Sequence, residues 1–180
     1  VDGRPPSPPE VPATDPPAWG RDSADVARIA FQRPFQLAIS ARRLLGEPTV
    51  EKLFHFARYD LAMIRHYLGV LCRPVYCTKV ASRLARTYTD RHGLREVCQE
   101  LLGIDLSKQM QSSDWGAPEL SEAQLTYAAG DVLHLHQLRE HLDGMLAREG
   151  REALAAACFA FLPERAELDL VGWAQQDIFA

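Results

Sequence analysis

The sequence predicts an α/β domain in which a small strand layer is followed by a larger helical half. Two short runs, Glu51–His55 and Val75–Cys77, have the length and apolar content of buried strands. The segment between them, Ala57–Leu68, has helical periodicity and stops at Gly69. After Lys79 the pattern is helical apart from one polar loop. A strand–helix–strand unit followed by several helices is typical of an α/β domain.

The first 21 residues differ in composition from the rest of the chain. Seven of the 12 prolines fall within Pro5–Pro17, where neither an alternating nor a helical pattern is present. Such a segment lacks the apolar surface that offsets the entropy of ordering. We therefore expect residues 1–21 to be disordered and residues 22–180 to form one domain.

The elements outside the strand–helix–strand unit are placed by their periodicity and end signals. Asp25–Ala30 alternates like a half-buried strand, and residues 38–46 form a predicted helix with Leu44 and Leu45 on its inner face. Four more helices are predicted: Lys79–Arg86, Leu94–Leu102 before Gly103, Ser121–Leu146, and Glu152–Phe161 before Pro163.

The longest predicted helix follows a polar loop, Ser107–Pro118. Ser121 and Gln124 stand at its start with the spacing of a capping box, in which each side chain bonds to the other residue's backbone N–H. We therefore expect a well-defined helix N-terminus at this point.

The overall composition, 47% hydrophobic and 24% charged, is ordinary for a soluble globular protein. No run approaches the roughly 18 apolar residues of a membrane span. No basic stretch followed by an apolar one opens the sequence, so we expect a cytoplasmic protein. The cysteines lack metal-ligand spacing and are expected to be buried, reduced thiols: Cys72, Cys77, Cys98 and Cys158.

The net charge of −4 is unevenly distributed along the chain. Between Arg65 and Arg95 there are seven Lys or Arg residues against one acid, Asp90. Two interpretations are open, a solvated helix face and a surface that contacts nucleic-acid phosphates. In the second, the candidate substrate-binding arginines are Arg83, Arg86 and Arg91.

Two aspartates occupy positions where helical periodicity calls for apolar residues. Asp60 precedes Ile64 by one turn, and Asp131 lies four residues after Tyr127 and four before Leu135. A carboxylate turned towards a core costs several kcal/mol unless a cation or hydrogen-bond donors meet it. Mg²⁺ and Mn²⁺ prefer oxygen ligands, so this pair with its tyrosine suggests a metal-dependent phosphodiester site. The alternative for each aspartate is a helix residue that pairs with a backbone donor or an arginine.

Three segments resemble a known family in order and spacing. His55–Leu61 (HFARYDL) resembles the second exonuclease motif of ribonuclease D. Tyr127–Val132 (YAAGDV) resembles the third motif of DEDD 3′–5′ exonucleases of the tyrosine subtype. Between them, Ser112–Trp115 and the residues up to Gln124 resemble the segment that leads into that third motif. The sequence is similar to short, single-domain bacterial ribonuclease D-like proteins.

This resemblance implies a ribonuclease H-like fold, with a mixed sheet flanked by helices and a helical C-terminal half. It implies two divalent metal ions, Mg²⁺ or Mn²⁺, and hydrolytic removal of nucleotides from the 3′ end of single-stranded RNA, with DNA as a further possibility. By motif match, Asp60 and Asp131 are the metal ligands and Tyr127 positions the attacking water. His55 contacts the substrate or supports the site, and Trp115 is expected to be a packing anchor.

The family's first motif, Asp-x-Glu in an N-terminal strand, is missing. No Asp-x-Glu occurs before Asp60, and proline-rich sequence, Gly3–Pro9, stands where that strand belongs. Without this motif we expect the N-terminal strands to be absent or irregular and the two aspartates to hold at most one ion well. Two explanations are open: a misreading of the gene, with an intact motif encoded upstream, or a real loss.

Three hypotheses for the function follow. The first is a metal-dependent 3′–5′ exoribonuclease. The second is a module that binds RNA through the Arg65–Arg95 region without cleaving it, and the third is an unstable remnant. A metal site of His134, His136 and His141 has little support, because the first two do not share a helix face.

Overall fold

The structure, a computed structural model, describes residues 35–179 except 108, 111 and 118. The predicted disorder of residues 1–21 and the predicted strand Asp25–Ala30 lie outside the described residues. The described elements, in chain order, are α1 Phe35–Gly46, β1 Lys52–Phe54, α2 Ala57–Leu68, β2 Val75–Cys77, α3 Thr78–Ala85, α4 Leu94–Leu102, α5 Glu122–Leu133, α6 Leu135–Arg148 and α7 Glu152–Leu168.

The two described strands form a parallel pair joined by α2. Leu53 lies opposite Tyr76, and Phe54 lies opposite Cys77. Helix α2 ends where the sequence predicts, because Gly69 adopts a left-handed conformation (φ 65°) and its N–H bonds to the Arg65 carbonyl. The predicted strand–helix–strand unit is therefore confirmed, while the described sheet has parallel strands only.

The core is built mainly by α6 and α7 against the strand–helix–strand unit. Helix α6 packs on α3 and α4, and its buried face carries Leu135, Leu138, Leu142 and Leu146. Helix α7 packs on α2, and the Tyr76 hydroxyl of β2 donates to Asp143 of α6 at 2.8 Å.

Among the described residues no helix has the length and apolar character to cross a membrane. The cytoplasmic location remains a prediction.

All four cysteines are free thiols, as predicted. Cys72, Cys77 and Cys98 are buried, whereas Cys158 is only partly buried. Burial raises the pKa of the Cys98 thiol to about 11, so it remains protonated at neutral pH.

The prediction of one helix from Ser121 to Leu146 is wrong. The chain forms two helices that meet at His134, whose backbone (φ −101°, ψ 0°) interrupts the helix. The break separates α6, which buries four leucines in the core, from α5, whose described buried set contains only Gln124. The capping box of Ser121 and Gln124 is confirmed.

Two further helix predictions need correction. Helix α7 does not stop before Pro163 but continues to Leu168 and a wider turn, Asp169–Trp173. The helix continues through Pro163 because the neighbouring residues, including Leu162 and Ala166, are packed in the core. In α1, Leu45 packs on the core as predicted, but Leu44 is 57% exposed.

Part of the basic stretch between Arg65 and Arg95 is paired with acids in the fold. Arg65 pairs with Glu167 and Arg73 pairs with Glu164, both from α7. Arg95 pairs with Asp105 at 2.8 Å. Three of the seven positive charges in this stretch are therefore compensated by ion pairs within the fold.

The expectation that Arg86 contacts substrate is wrong, because its side chain is fully buried. Its guanidinium pairs with Glu100 and donates to the Ser82 hydroxyl and the Arg91 carbonyl, each at 2.9 Å. Arg86 thus connects the end of α3 to α4 and the loop between them.

We predict that Arg86→Ala lowers the free energy of unfolding by roughly 2–4 kcal/mol, because it leaves buried acceptors and Glu100 without their partner. Urea denaturation checks this. The matched control is Arg83→Ala in the last turn of α3, an exposed residue whose replacement should change the free energy of unfolding by less than about 0.5 kcal/mol. Equal stability of the two variants would contradict the structural role of Arg86.

Candidate active site

The end of β1 and the start of α2 place His55 and Asp60 at the carboxyl end of the parallel strands. Phe56, between strand and helix, has a left-handed backbone (φ 72°, ψ 41°), which is rare for a bulky residue. This sharp turn allows α2 to begin at Ala57, so that Asp60 lies in its first turn. Ligand sites of α/β sheets lie at this edge, outside the carboxyl ends of the strands.

Helix α5 brings Tyr127 and Asp131 to the same place, one helical turn apart on one face. The segment before α5 is tied to it by Gln124, whose side-chain amide donates to Ser113 Oγ at 3.2 Å and to the Asp114 carbonyl at 2.9 Å. The Trp115 ring lies 5.8 Å from the Tyr127 ring between centroids. Trp115 therefore packs against the site tyrosine.

One pocket of about 530 Å³ brings four candidate residues together: His55, Asp60, Tyr127 and Asp131. The N-terminus of α4 forms another part of its wall. Arg83 and Arg91 do not line this pocket. Arg91 lies in a neighbouring depression, and Arg83 is exposed on α3.

The two carboxylates are close enough to influence one another. Burial and the charge of Asp131 raise the pKa of Asp60 to about 7. Burial also raises the pKa of Asp131, and burial together with the Asp131 charge raises that of Tyr127. The pocket therefore disfavours two negative charges in the absence of a cation, and the Tyr127 phenol stays protonated at neutral pH.

His55 is held beside the carboxylates in its neutral form. Burial, followed by the charge of Lys79, lowers the pKa of His55 to about 4. Its Nδ1 lies 2.9 Å from Thr78 Oγ1, and that hydroxyl is also 3.1 Å from the Phe54 carbonyl. Nε2 is buried and has no hydrogen-bond partner among the described residues. The imidazole thus joins the end of β1 to the start of α3 at the pocket wall.

Two charged residues in the first turn of α4 line the pocket but were not among the candidates: Arg95 and Glu96. The Glu96 carboxylate folds back over the helix start, since a Cβ added to Gly93 would lie 2.1 Å from its Oε2. The sequence signal for Arg95 and Glu96 was their position just after Gly93, at the N-terminus of a predicted helix. The sequence does not show that this helix end faces Asp60 and Asp131.

The donor set fits a divalent cation held between two carboxylates, because such an ion would relieve the repulsion of Asp60 and Asp131. Throughout the described ranges there is no group of three His, Cys, Asp or Glu side chains placed to hold a metal ion. This includes His134, His136 and His141.

Comparison with known proteins identifies the family. A family model described as 3′–5′ exonuclease matches residues 25–147. The chain belongs to this 3′–5′ exonuclease family. Ribonuclease D of Gluconacetobacter diazotrophicus is 39% identical over 123 residues, which are 68% of this chain and 31% of the relative. The chain thus spans about a third of the length of the ribonuclease D relatives it matches.

Solved structures in this exonuclease family confirm the predicted ribonuclease H-like fold. A structure of Brucella melitensis NrnC bound to pGG matches with a TM-score of 0.74 at 58% identity, covering 77% of this chain and 67% of that one. The same protein with bound Mg²⁺ matches with a TM-score of 0.73 at 56% identity and the same coverage. The resemblance inferred from the three sequence motifs is therefore confirmed.

We predict that Asp60→Asn stabilises the metal-free protein, and more so at high pH. The pKa of Asp60 is raised in the folded state from 3.8 to about 7, so folding favours its protonated form. Its contribution to the free energy of unfolding is therefore fully present below pH 3.8 and is lost as the pH rises through about 7. In EDTA, the variant should exceed wild type in unfolding free energy by roughly 1–3 kcal/mol at about pH 8 and by much less near pH 4. Urea titrations at both pH values check this.

The control for this titration is Asp90→Asn, which removes an exposed carboxylate outside the pocket. Its stability difference from wild type should be small at both pH values. A difference for Asp60→Asn that does not grow between about pH 4 and pH 8 would show that Asp60 ionises normally.

Proposed function

We propose that this chain is a metal-dependent 3′–5′ exoribonuclease that removes nucleotides from the 3′ end of single-stranded RNA. The observation that carries the proposal is the convergence of Asp60, Asp131 and Tyr127 on one pocket in a member of the exonuclease family. RNA is the proposed substrate because the relatives are ribonuclease D and an NrnC that was solved with pGG.

Asp60 and Asp131 are the proposed ligands of a divalent cation, Mg²⁺ or Mn²⁺. When bound, such an ion supplies Lewis acidity at a phosphodiester oxygen and lowers the pKa of a water molecule. Because Asp60 is partly protonated near neutral pH, it must release its proton to serve as a ligand. We propose one well-held ion, since the Asp-x-Glu motif is missing from these 180 residues.

Tyr127 is the proposed positioning residue for the attacking water. Its phenol stays protonated, so it orients water by a hydrogen bond rather than acting as a base. Trp115 packs against its ring and thereby restricts it. His55 is neutral and fixed by Thr78, so in this proposal it shapes the wall that meets the substrate.

Positive charge for the RNA backbone comes from the rim of the pocket. Arg95 lines the pocket itself, and Arg91 lies in the adjoining depression, which shares Arg95. Both side chains are exposed enough to reach a phosphate. Arg83 on α3 does not line the pocket, and we propose that it contacts the RNA backbone farther from the carboxylates.

A second candidate function is RNA binding without cleavage. The observation that favours it is the lack of a third metal ligand among the described side chains, together with the missing Asp-x-Glu motif. This function predicts salt-sensitive RNA binding and no product with any divalent metal.

We predict that the chain shortens a 5′-labelled single-stranded RNA from its 3′ end with Mn²⁺ and not with EDTA. Asp131→Ala should lower the rate at least about 100-fold, because it removes half of the carboxylate pair. Asp90→Ala, an exposed aspartate outside the pocket, is the matched control and should cleave like wild type. RNA binding without any shortened product would favour the second function, RNA binding without cleavage. A chain that neither binds nor cleaves RNA would contradict both proposed functions.

We predict that Tyr127→Phe lowers kcat about 100-fold or more while KM changes little, because the hydroxyl acts on the water rather than on RNA binding. Steady-state kinetics check this. Tyr88→Phe removes a hydroxyl from a tyrosine that is 68% exposed and outside the pocket, and it should leave both constants unchanged. A rise in KM with unchanged kcat would instead make Tyr127 a substrate contact.

A further inference from the structure

We infer that Arg58 is a positioning residue, which holds the first turn of α2 so that the Asp60 carboxylate can bind a divalent cation. The inference rests on the proposed function and names a residue outside the pocket on which metal binding depends. Both residues lie in the first turn of α2. Successive helix residues are rotated by about 100°, so side chains two positions apart point to nearly opposite faces. Accordingly, Asp60 lines the candidate active-site pocket, whereas Arg58 lines a separate depression of about 400 Å³ near the chain end.

The first turn of α2 has weak local support. Phe56, which precedes it, has a left-handed backbone that strains a bulky residue, and its side chain makes no capping hydrogen bond. The Ala57 N–H bonds to a weak acceptor, the Cys77 sulfur at 3.4 Å. The nearby charge of Asp131 also disfavours the ionised form of Asp60. Holding Asp60 in place therefore depends on contacts from elsewhere in the fold.

Arg58 provides such a contact through three hydrogen bonds. Its Nε and Nη2 donate to the two carboxylate oxygens of Asp169 at 2.5 Å and 2.7 Å. Nη2 also donates to the Ala174 carbonyl at 2.8 Å. Two parallel bonds between a guanidinium and a carboxylate fix the orientation of the groups as well as their distance. The Asp169 side chain is fully buried, so water does not compete for its oxygens. The turn that carries Asp60 is thus anchored from its outer face.

The backbone after α7 is shaped around this contact. Asp169 opens a wide turn, Asp169–Trp173, in which Gly172 has a φ of 104°. Glycine adopts this conformation freely, and other residues are strained in it. The turn brings the Ala174 carbonyl to the same guanidinium that Asp169 binds. Arg165 pairs with Asp169 at 3.2 Å and so fixes the carboxylate from a second side.

A second ion pair between α2 and α7 offers a matched comparison. Arg65 pairs with Glu167 at 2.5 Å, but it stands in the last turn of α2, away from Asp60. Both of its charged side chains are partly exposed. If the two ion pairs only dock α2 on α7, their loss should affect the site alike. If Arg58 positions Asp60, only its loss should weaken metal binding.

The test measures binding of Mn²⁺ alone to the full chain, by the decrease of the electron paramagnetic resonance signal of free Mn²⁺. Arg58→Met keeps the aliphatic length of the side chain and removes its hydrogen bonds. It should weaken Mn²⁺ binding about 10-fold, the scale on which groups that orient a ligand act, and Arg65→Met by less than about two-fold. The temperature is one at which melts show every variant folded. A contact that only stabilises the fold would lower Tm without changing the affinity of the folded chain.

A pair of glycine variants tests the same contact without altering α2. Gly172→Ala strains the turn that delivers the Ala174 carbonyl, and it should also weaken Mn²⁺ binding. Gly144→Ala is the matched control, because a Cβ at either glycine meets open space and Gly144 has no positive φ. It should bind Mn²⁺ like wild type. If Arg58→Met does not fold, this pair decides the question.

Each further outcome is decisive. Wild-type Mn²⁺ affinity for Arg58→Met would overturn the inference, as would an equal loss for Arg58→Met and Arg65→Met. Cleavage assays separate the inference from the proposed function. If wild type binds Mn²⁺ in the expected pattern but cuts no RNA, the exonuclease proposal fails and the role of Arg58 stands. If wild type cuts RNA and Arg58→Met binds Mn²⁺ normally, only the inference fails. If wild type binds no Mn²⁺, both fail.

Discussion

The constraint on which the site depends is the approach of two carboxylates, Asp60 and Asp131, within one partly buried pocket. Their proximity is unfavourable on its own terms, as the raised pKa of Asp60 shows. The rest of the fold must therefore hold α2 and α5 in place against this repulsion. A cation bound between the two carboxylates would turn the same arrangement into an attractive one, which is the physical basis for proposing a metal site in this pocket.

The scaffold supplies this support through contacts that are distant in sequence. Arg58, two residues before Asp60, donates to Asp169 at 2.7 Å and to the Ala174 carbonyl at 2.8 Å, which joins α2 to the end of α7. Helix α5 is held by the hydrogen bonds of Gln124 and by the packing of Trp115 against Tyr127. The break at His134 then lets α6 bury its leucines while α5 lines the site. The helix that builds the core and the helix that lines the pocket are thus adjacent in the chain.

The arginines of the basic stretch Arg65–Arg95 are likewise divided between the scaffold and the pocket. Three of the six arginines in the basic stretch are paired with acids of the scaffold: Arg86 is buried against Glu100, and Arg65 and Arg73 pair with α7. Arg95, at the start of α4, lines the pocket and pairs with the exposed Asp105.

Local signals in the sequence determined much of this protein. Apolar periodicity and glycine stops predicted α2, β2 and α4. Three motifs in the right order predicted the family. The same motifs contain the candidate site residues Asp60, Tyr127 and Asp131. Only the tertiary structure decided that the helix breaks at His134 and that α7 runs through Pro163, because packing overrides propensity at both points. It also decided the burial of Arg86 and the presence of Arg95 at the pocket. Both depend on which acid the packed helices bring to each arginine, Glu100 for Arg86 and Asp105 for Arg95, and no local pattern encodes that choice.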